Sequence, residues 1–286
     1  MSKNAPFKNI AVIGAGTMGS GIAGQIANSE QEVLLLDIPG KTPNSITEDA
    51  VKKLIRSDPP ALMHKNKANL IKVGNIRDDF NKLANCDLII EAVVERLDIK
   101  KDLYNRINNI VNSKCVITSN TSTIPIKLLV EDMPQSFRER FAITHYFNPV
   151  RFMRLLELVR GEHTKSEIIK KLADYNDRIL GKGVVACNDT PGFLGNRVGV
   201  YALQVGMDEA YKLNLTVEEA DSLMGRPMGI PKTGIFGLYD LIGIDLMSDV
   251  VDTLGTILPD NDDFHKVGAS NIPTAELIKK MIDEGF

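Results

Sequence analysis

The sequence predicts an α/β protein: a doubly wound, mostly parallel sheet followed by a smaller all-helical domain. Three observations carry that expectation. Short apolar runs alternate with helix-compatible stretches through the first two thirds of the chain, the pattern of strands covered by helices on both faces. A glycine-rich turn stands between the first such run and the first helical stretch. From Gly192 onward only helical spacing is found, with turns at Gly225-Arg226-Pro227 and Gly229-Ile230-Pro231.

The elements follow in order. Ile10 to Ile13 form an apolar run, Gly14-Ala15-Gly16-Thr17-Met18-Gly19 a turn, Gly21 to Ala27 a helical continuation, and Val33 to Leu36 a second apolar run that ends on Asp37. Strand, glycine turn, helix, strand and lone aspartate is the layout of a Rossmann-type, dinucleotide-binding βαβ unit. Gly14 allows the tight turn out of the strand, Gly16 lets a pyrophosphate approach the backbone, and Gly19 lets the helix pack closely on the strand. The phosphates would sit on the free N–H groups at the helix start, those of Thr17, Met18 and Gly19. Asp37, 18 residues after Gly19, would accept from the ribose 2′-hydroxyl and repel a 2′-phosphate, which favours NAD over NADP.

After the loop IPGKTPNS, helical stretches are expected at about 46–56 and 63–71, divided by Ser57-Asp58-Pro59-Pro60. Apolar runs return at 86–90, 115–118, 141–144 and 155–159, with a helical pattern at about 99–111 between the first two. Asp189-Thr190-Pro191-Gly192 reads as the hinge, giving a nucleotide-binding domain over 1–188 and a helical substrate and dimerisation domain over 189–286.

The 286 residues suffice for two domains with large cores, and 43% hydrophobic with 25% charged residues is ordinary for a globular chain. A net charge of −3 gives no support to binding of nucleic acid or an anionic membrane. Cys86, Cys115 and Cys187 show no CxxC spacing and read as small apolar residues in a reducing compartment, with no metal site expected. No stretch approaches the ~20 apolar residues of a membrane span, and MSKNAPFKN lacks a signal-peptide core, so a cytoplasmic enzyme is expected.

Four segments carry the chemistry-bearing side chains, and each stands where a strand ends or the second domain begins, the place where doubly wound sheets collect ligands. They are Ser119-Asn120-Thr121-Ser122, His145-Tyr146-Phe147-Asn148-Pro149, Glu157 within LLELV, and Pro191-Gly192-Phe193-Leu194-Gly195-Asn196-Arg197. A carboxylate between Leu156 and Leu158 is costly to bury unless something pairs with it. Blander readings accompany these: Glu157 paired with Arg154 or Arg160, Ser122 as an N-cap for the segment from Pro125, Glu95 and Lys100 as an exposed pair. His64, His163 and His265 read as surface residues.

Together GAGTMGSGIA at 14–23, EAVVERLDIK at 91–100, SNTS at 119–122, HYFNPV at 145–150, LLELV at 155–159 and DTPGFLGNRV at 189–198 resemble the L-3-hydroxyacyl-CoA dehydrogenase family, in its order and near its spacing. The resemblance implies NAD-dependent oxidation of an L-3-hydroxyacyl-CoA thioester to the 3-ketoacyl-CoA in fatty-acid β-oxidation. It makes His145 the catalytic base and Glu157, twelve residues later, its orienter; Ser122 and Asn196 would hold the substrate's hydroxyl and thioester carbonyl. Glu95, Lys100, Asn120 and Asn148 would contribute to the NAD pocket. A histidine near neutrality suits removal of the hydroxyl proton, and a buried glutamate on its far nitrogen fixes the tautomer.

The segment 38–75 does not match the short members of that family and looks more like the large multifunctional ones, so no CoA contact carries over. Ending at MIDEGF, where members usually continue, the chain reads as truncated or as a fragment, without a hydratase segment within its residues. A homodimer, or a place within a larger multifunctional chain, is the expected assembly. The alternatives are an NAD-dependent dehydrogenase of another small hydroxyacid or sugar acid, and an inactive nucleotide-binding fragment.

Overall fold

The alternating apolar runs become one eight-stranded sheet in the computed structural model, which describes residues 5–230, 232–268 and 273–285. In chain order the first unit consists of β1 (Ile10–Ile13), α1 (Thr17–Asn28), β2 (Val33–Asp37), α2 (Ser45–Arg56), β3 (Ile71–Asn75), β4 (Leu88–Glu91), α3 (Leu97–Asn108), β5 (Val116–Ser119), α4 (Ile126–Val130), α5 (Gln135–Arg138), β6 (Phe141–Tyr146), β7 (Leu155–Arg160), α6 (Ser166–Asp174) and β8 (Gly183–Cys187). The strand order is β3-β2-β1-β4-β5-β6-β7-β8. All neighbours are parallel except β6 and β7. The chain winds outward from β1 to β3, then returns to start β4 on the other side of β1. That reversal opens the crevice at the carboxyl ends of β1 and β4 where such sheets take ligands.

Side chains alternate across the sheet as the two-residue strand period requires. From β1, Ile10 and Val12 enter the core on one face, with Ile22 and Ile26 of α1; Ala11 and Ile13 enter the core on the other, with Leu103, Tyr104 and Ile107 of α3. Each buried Ile, Leu or Val stabilises the layers by about 1.5–3 kcal/mol. Burial on both faces explains why these strands read as continuous apolar runs.

Two elements differ from the sequence expectation. The stretch expected as helix over 63–71 is a 3₁₀ turn at Lys65–Leu70 followed by edge strand β3, whose polar Lys72 and Asn75 hide its strand character. The other edge strand, β8, has no counterpart in the sequence reading. Only half-buried, it carries the glycine, alanine and valine of GVVAC, a weak signal.

The chain divides after Phe193, where the sequence reading placed the boundary at 188. The second unit holds α7 (Gly195–Lys212), α8 (Val217–Leu223), α9 (Phe236–Ile242), α10 (Ile244–Ile257) and α11 (Pro273–Asp283) around a core of Val200, Met207, Ile235, Tyr239, Val251 and Phe264. The helix α8 starts on a capping box, Thr216 accepting from the Glu219 N–H while the Glu219 carboxylate accepts from the Thr216 N–H. Among the described residues no helix is long and apolar enough to cross a membrane.

Candidate active site

The antiparallel pairing of β6 and β7 sets His145 directly opposite Glu157. Opposed side chains in such a pair lie close enough to meet, so a sequence separation of twelve becomes a contact. Nδ1 of His145 is 2.6 Å from Glu157 Oε2, with Glu157 wholly buried and His145 6% exposed. An ionised Glu157 can only accept, so Nδ1 donates and the imidazole lone pair stays on Nε2. The rings of Phe147, 4.5 Å away, and Phe193, 5.7 Å away, wall the imidazole. Cys187, at the end of β8, brings its thiol 3.8 Å from Glu157 Oε1, a neighbour that the sequence reading missed. The other two thiols, Cys86 and Cys115, are buried in the core, and burial pushes each up to about 12.

Beside the histidine strand, Asn120 follows β5 and its Oδ1 accepts from the Tyr146 N–H at 2.9 Å, tying two strand ends together. Ser122 is half-exposed, its N–H donating to Glu95 Oε1 at 3.2 Å. It does not cap the helix that begins at Ile126. The Ile126 N–H donates instead to Asp189 Oδ1 at 3.1 Å, and burial, outweighing the backbone donors, holds the Asp189 carboxyl above its usual range. Asn148 is exposed in the turn after β6.

Glu95 and Lys100 are not an exposed pair. Lys100 is 1% exposed, its Nζ 2.7 Å from Glu91 Oε1 and 3.2 Å from Glu95 Oε2. Burial disfavours the Glu95 charge, but the Lys100 charge and hydrogen bonds from Thr121, Lys100 and Thr123 outweigh it and hold the carboxyl below its usual range. Glu91 is a second residue the sequence reading passed over. A carboxylate closing the apolar run LIIE carries the same signal that singled out Glu157.

At the crevice, Gly14 has φ +103°, and a Cβ there would stand 2.3 Å from the Ala92 carbonyl oxygen. A Cβ on Gly19 would stand 1.8 Å from the Gly14 oxygen. The fold itself therefore requires both glycines. Gly16 is different, with an ordinary φ of −67° and nothing within 4 Å of an added Cβ. No side chain caps the first turn of α1, where Thr17, Met18 and Gly19 present their N–H groups. Asp37 closes the far side, Oδ2 accepting from Ala15 N–H at 2.5 Å and Oδ1 from Ile38 N–H at 2.6 Å. An uncapped helix start, open space over a glycine the fold does not need, and a fixed carboxylate at the next strand end fit a dinucleotide. Along α2 a cleft of about 620 Å³ continues from Gly16 past Lys53 to Arg151.

Asn196 stands half-buried in the first turn of α7, in the second unit.

Fold and site fit a dinucleotide-binding domain that carries a buried histidine–carboxylate pair, and comparison with known proteins specifies it further. The family model for the 3-hydroxyacyl-CoA dehydrogenase NAD-binding domain matches residues 9–190, and that for the C-terminal domain of the same enzymes matches 192–286. The chain belongs to the 3-hydroxyacyl-CoA dehydrogenase family. It is 31% identical over 293 residues to the mitochondrial hydroxyacyl-coenzyme A dehydrogenase of Sus scrofa, covering 100% of this chain and 92% of that one. A Rickettsia felis protein provisionally named a fatty acid oxidation complex trifunctional enzyme is 43% identical over 279 residues, 96% of this chain and 39% of that protein. The chain thus spans about 39% of the length of such relatives. Among solved structures, the (S)-3-hydroxybutyryl-CoA dehydrogenase PaaH1 of Ralstonia eutropha superposes with a TM-score of 0.80 at 28% identity, covering 98% of this chain and 95% of that one.

Proposed function

We propose that the protein catalyses NAD-dependent oxidation of L-3-hydroxyacyl-CoA to 3-ketoacyl-CoA, in fatty-acid β-oxidation. The observation that carries the reading is the buried His145–Glu157 pair, 2.6 Å apart at the carboxyl end of the sheet. NAD, when bound, would supply the acceptor for the hydride leaving the substrate's carbinol carbon. His145 Nε2 receives the hydroxyl proton, and Glu157 steadies the imidazolium that forms. Ser122 offers a neutral donor to the substrate oxygen, able to steady developing charge without trapping the ketone. The roles of Asn196 on the thioester carbonyl, and of Asn120 and Asn148 toward NAD, rest on the family resemblance.

In this reading Gly14, Gly16, Thr17, Met18 and Gly19 surround the pyrophosphate, Asp37 takes the adenosine ribose, and Glu95 with Lys100 takes the other end of the dinucleotide. The enzyme works in the cytoplasm, as a homodimer or as part of a larger multifunctional chain. The test is reduction of acetoacetyl-CoA, followed as loss of NADH absorbance. Turnover that requires the thioester supports the reading; NADH binding without turnover on any acyl-CoA opposes it and favours a nucleotide-binding fragment.

A further inference from the structure

The buried carboxylate of Glu91 has no access to a ligand itself, yet it bonds directly to both clusters expected to meet ligands, through Lys100 and through Ser119. It accepts four hydrogen bonds with no solvent access: Val93 N–H at 2.8 Å and Lys100 Nζ at 2.7 Å on Oε1, Tyr104 OH at 2.6 Å and Ser119 Oγ at 2.7 Å on Oε2. Burial foremost, and then Glu91, holds the Tyr104 phenol well above its usual range, so it remains a donor.

Two arms leave this hub. On one, Lys100 is clamped between Glu91 and Glu95, which spends two ammonium N–H groups and orients the third. On the other, the Ser119 oxygen accepts from Thr121 N–H at 3.1 Å at the start of the turn that carries Ser122. The arms meet again in that turn, where Glu95 Oε1 accepts from the Thr121 hydroxyl, Ser122 N–H at 3.2 Å and Thr123 Oγ1 at 3.0 Å.

We propose that Glu91 is a positioning residue: through Lys100 and Glu95 it sets the cofactor contact, and through Ser119 it sets the Ser122 turn, so that cofactor affinity and turnover depend on one buried carboxylate. The inference rests on the dehydrogenase reading for its second arm only. Glu91→Gln keeps the shape but replaces one accepting oxygen by a donor, which faces two existing donors or the ammonium. Of its two carboxylate partners Lys100 then keeps only Glu95.

The test combines NADH binding with turnover. The chain has no tryptophan, so NADH emission can be titrated directly. In Glu91→Gln the NADH Kd should rise about tenfold and turnover at saturating NADH should fall about tenfold. Ser119→Ala should lower turnover by a similar factor with an unchanged NADH Kd, which a general loss of stability would not do. Adding Lys100→Met to Glu91→Gln should cost less NADH affinity than the product of the two single effects, because the pair acts as one unit. A folded Glu91→Gln with wild-type Kd and turnover overturns the proposal. Should Glu91→Gln fail to fold, Ser119→Ala decides, and wild-type turnover in that variant also overturns it. A wild type that binds NADH but reduces no acyl-CoA defeats the dehydrogenase reading, and the Kd of Glu91→Gln then judges the cofactor arm alone.

Discussion

Both oxygens of Asp37 already hold backbone donors, from Ala15 and Ile38, so the carboxylate is oriented before any nucleotide arrives. Each oxygen keeps a lone pair for a ribose hydroxyl, while a 2′-phosphate would meet a fixed negative charge. Replacing Asp37 by Asn should therefore raise the use of NADPH relative to NADH, measured as the ratio of kcat/KM values; a wild type that uses both cofactors equally contradicts the role. Glu157 is oriented in the opposite sense, by a partner from the facing strand. Glu157→Gln leaves the ring in place but no longer stabilises the imidazolium, and turnover should fall by about a hundred- to ten-thousand-fold, with wild-type turnover as the contrary result. At this scale the sequence was most informative where a polar residue interrupts an apolar run. LLELV pointed to Glu157 for that reason, and LIIE carried the same signal for Glu91. What could not be read was the partner: Lys100 meets Glu91 only because α3 packs over the end of β4, and Asp189 caps the Ile126 helix across 63 residues of chain.

The βαβ element at 10–37 was legible because its determinants are local, an apolar strand, a glycine turn and a second strand within one unit. The sheet edges were not, since the edge strand β3 carries Lys72, Gly74 and Asn75 among its five residues and so lacks the continuous apolar run of β1 or β4. The glycine turn also separates fold from ligand. A Cβ at position 19 collides with backbone, so Gly19→Ala should destabilise the chain by about 1–3 kcal/mol or more, seen as a lower melting temperature. Gly16→Ala meets nothing in the protein and should melt like wild type while weakening NADH binding. Equal melting temperatures for the two variants, or unchanged NADH affinity in Gly16→Ala, would contradict the assignment of the space above Gly16 to a pyrophosphate.

Taken as a whole molecule, the chain carries both domains of its family and leaves much apolar side-chain surface in the helical unit. Leu241 is 73% exposed, Leu213 65%, Met228 61% and Val198 57%. Such surface on a globular chain is usually covered, and a two-fold dimer is the commonest cover. Sedimentation velocity over a concentration series should show self-association, and a monomer that persists at high micromolar concentration would contradict the dimer proposal. The account's central claim is narrower, that His145 removes the substrate proton and does nothing for the cofactor. Its direct measurement is His145→Ala, with acetoacetyl-CoA turnover and NADH Kd determined on the same preparation. The account predicts loss of nearly all turnover with NADH affinity unchanged; substantial remaining turnover, or a loss explained by weakened NADH binding, would contradict it.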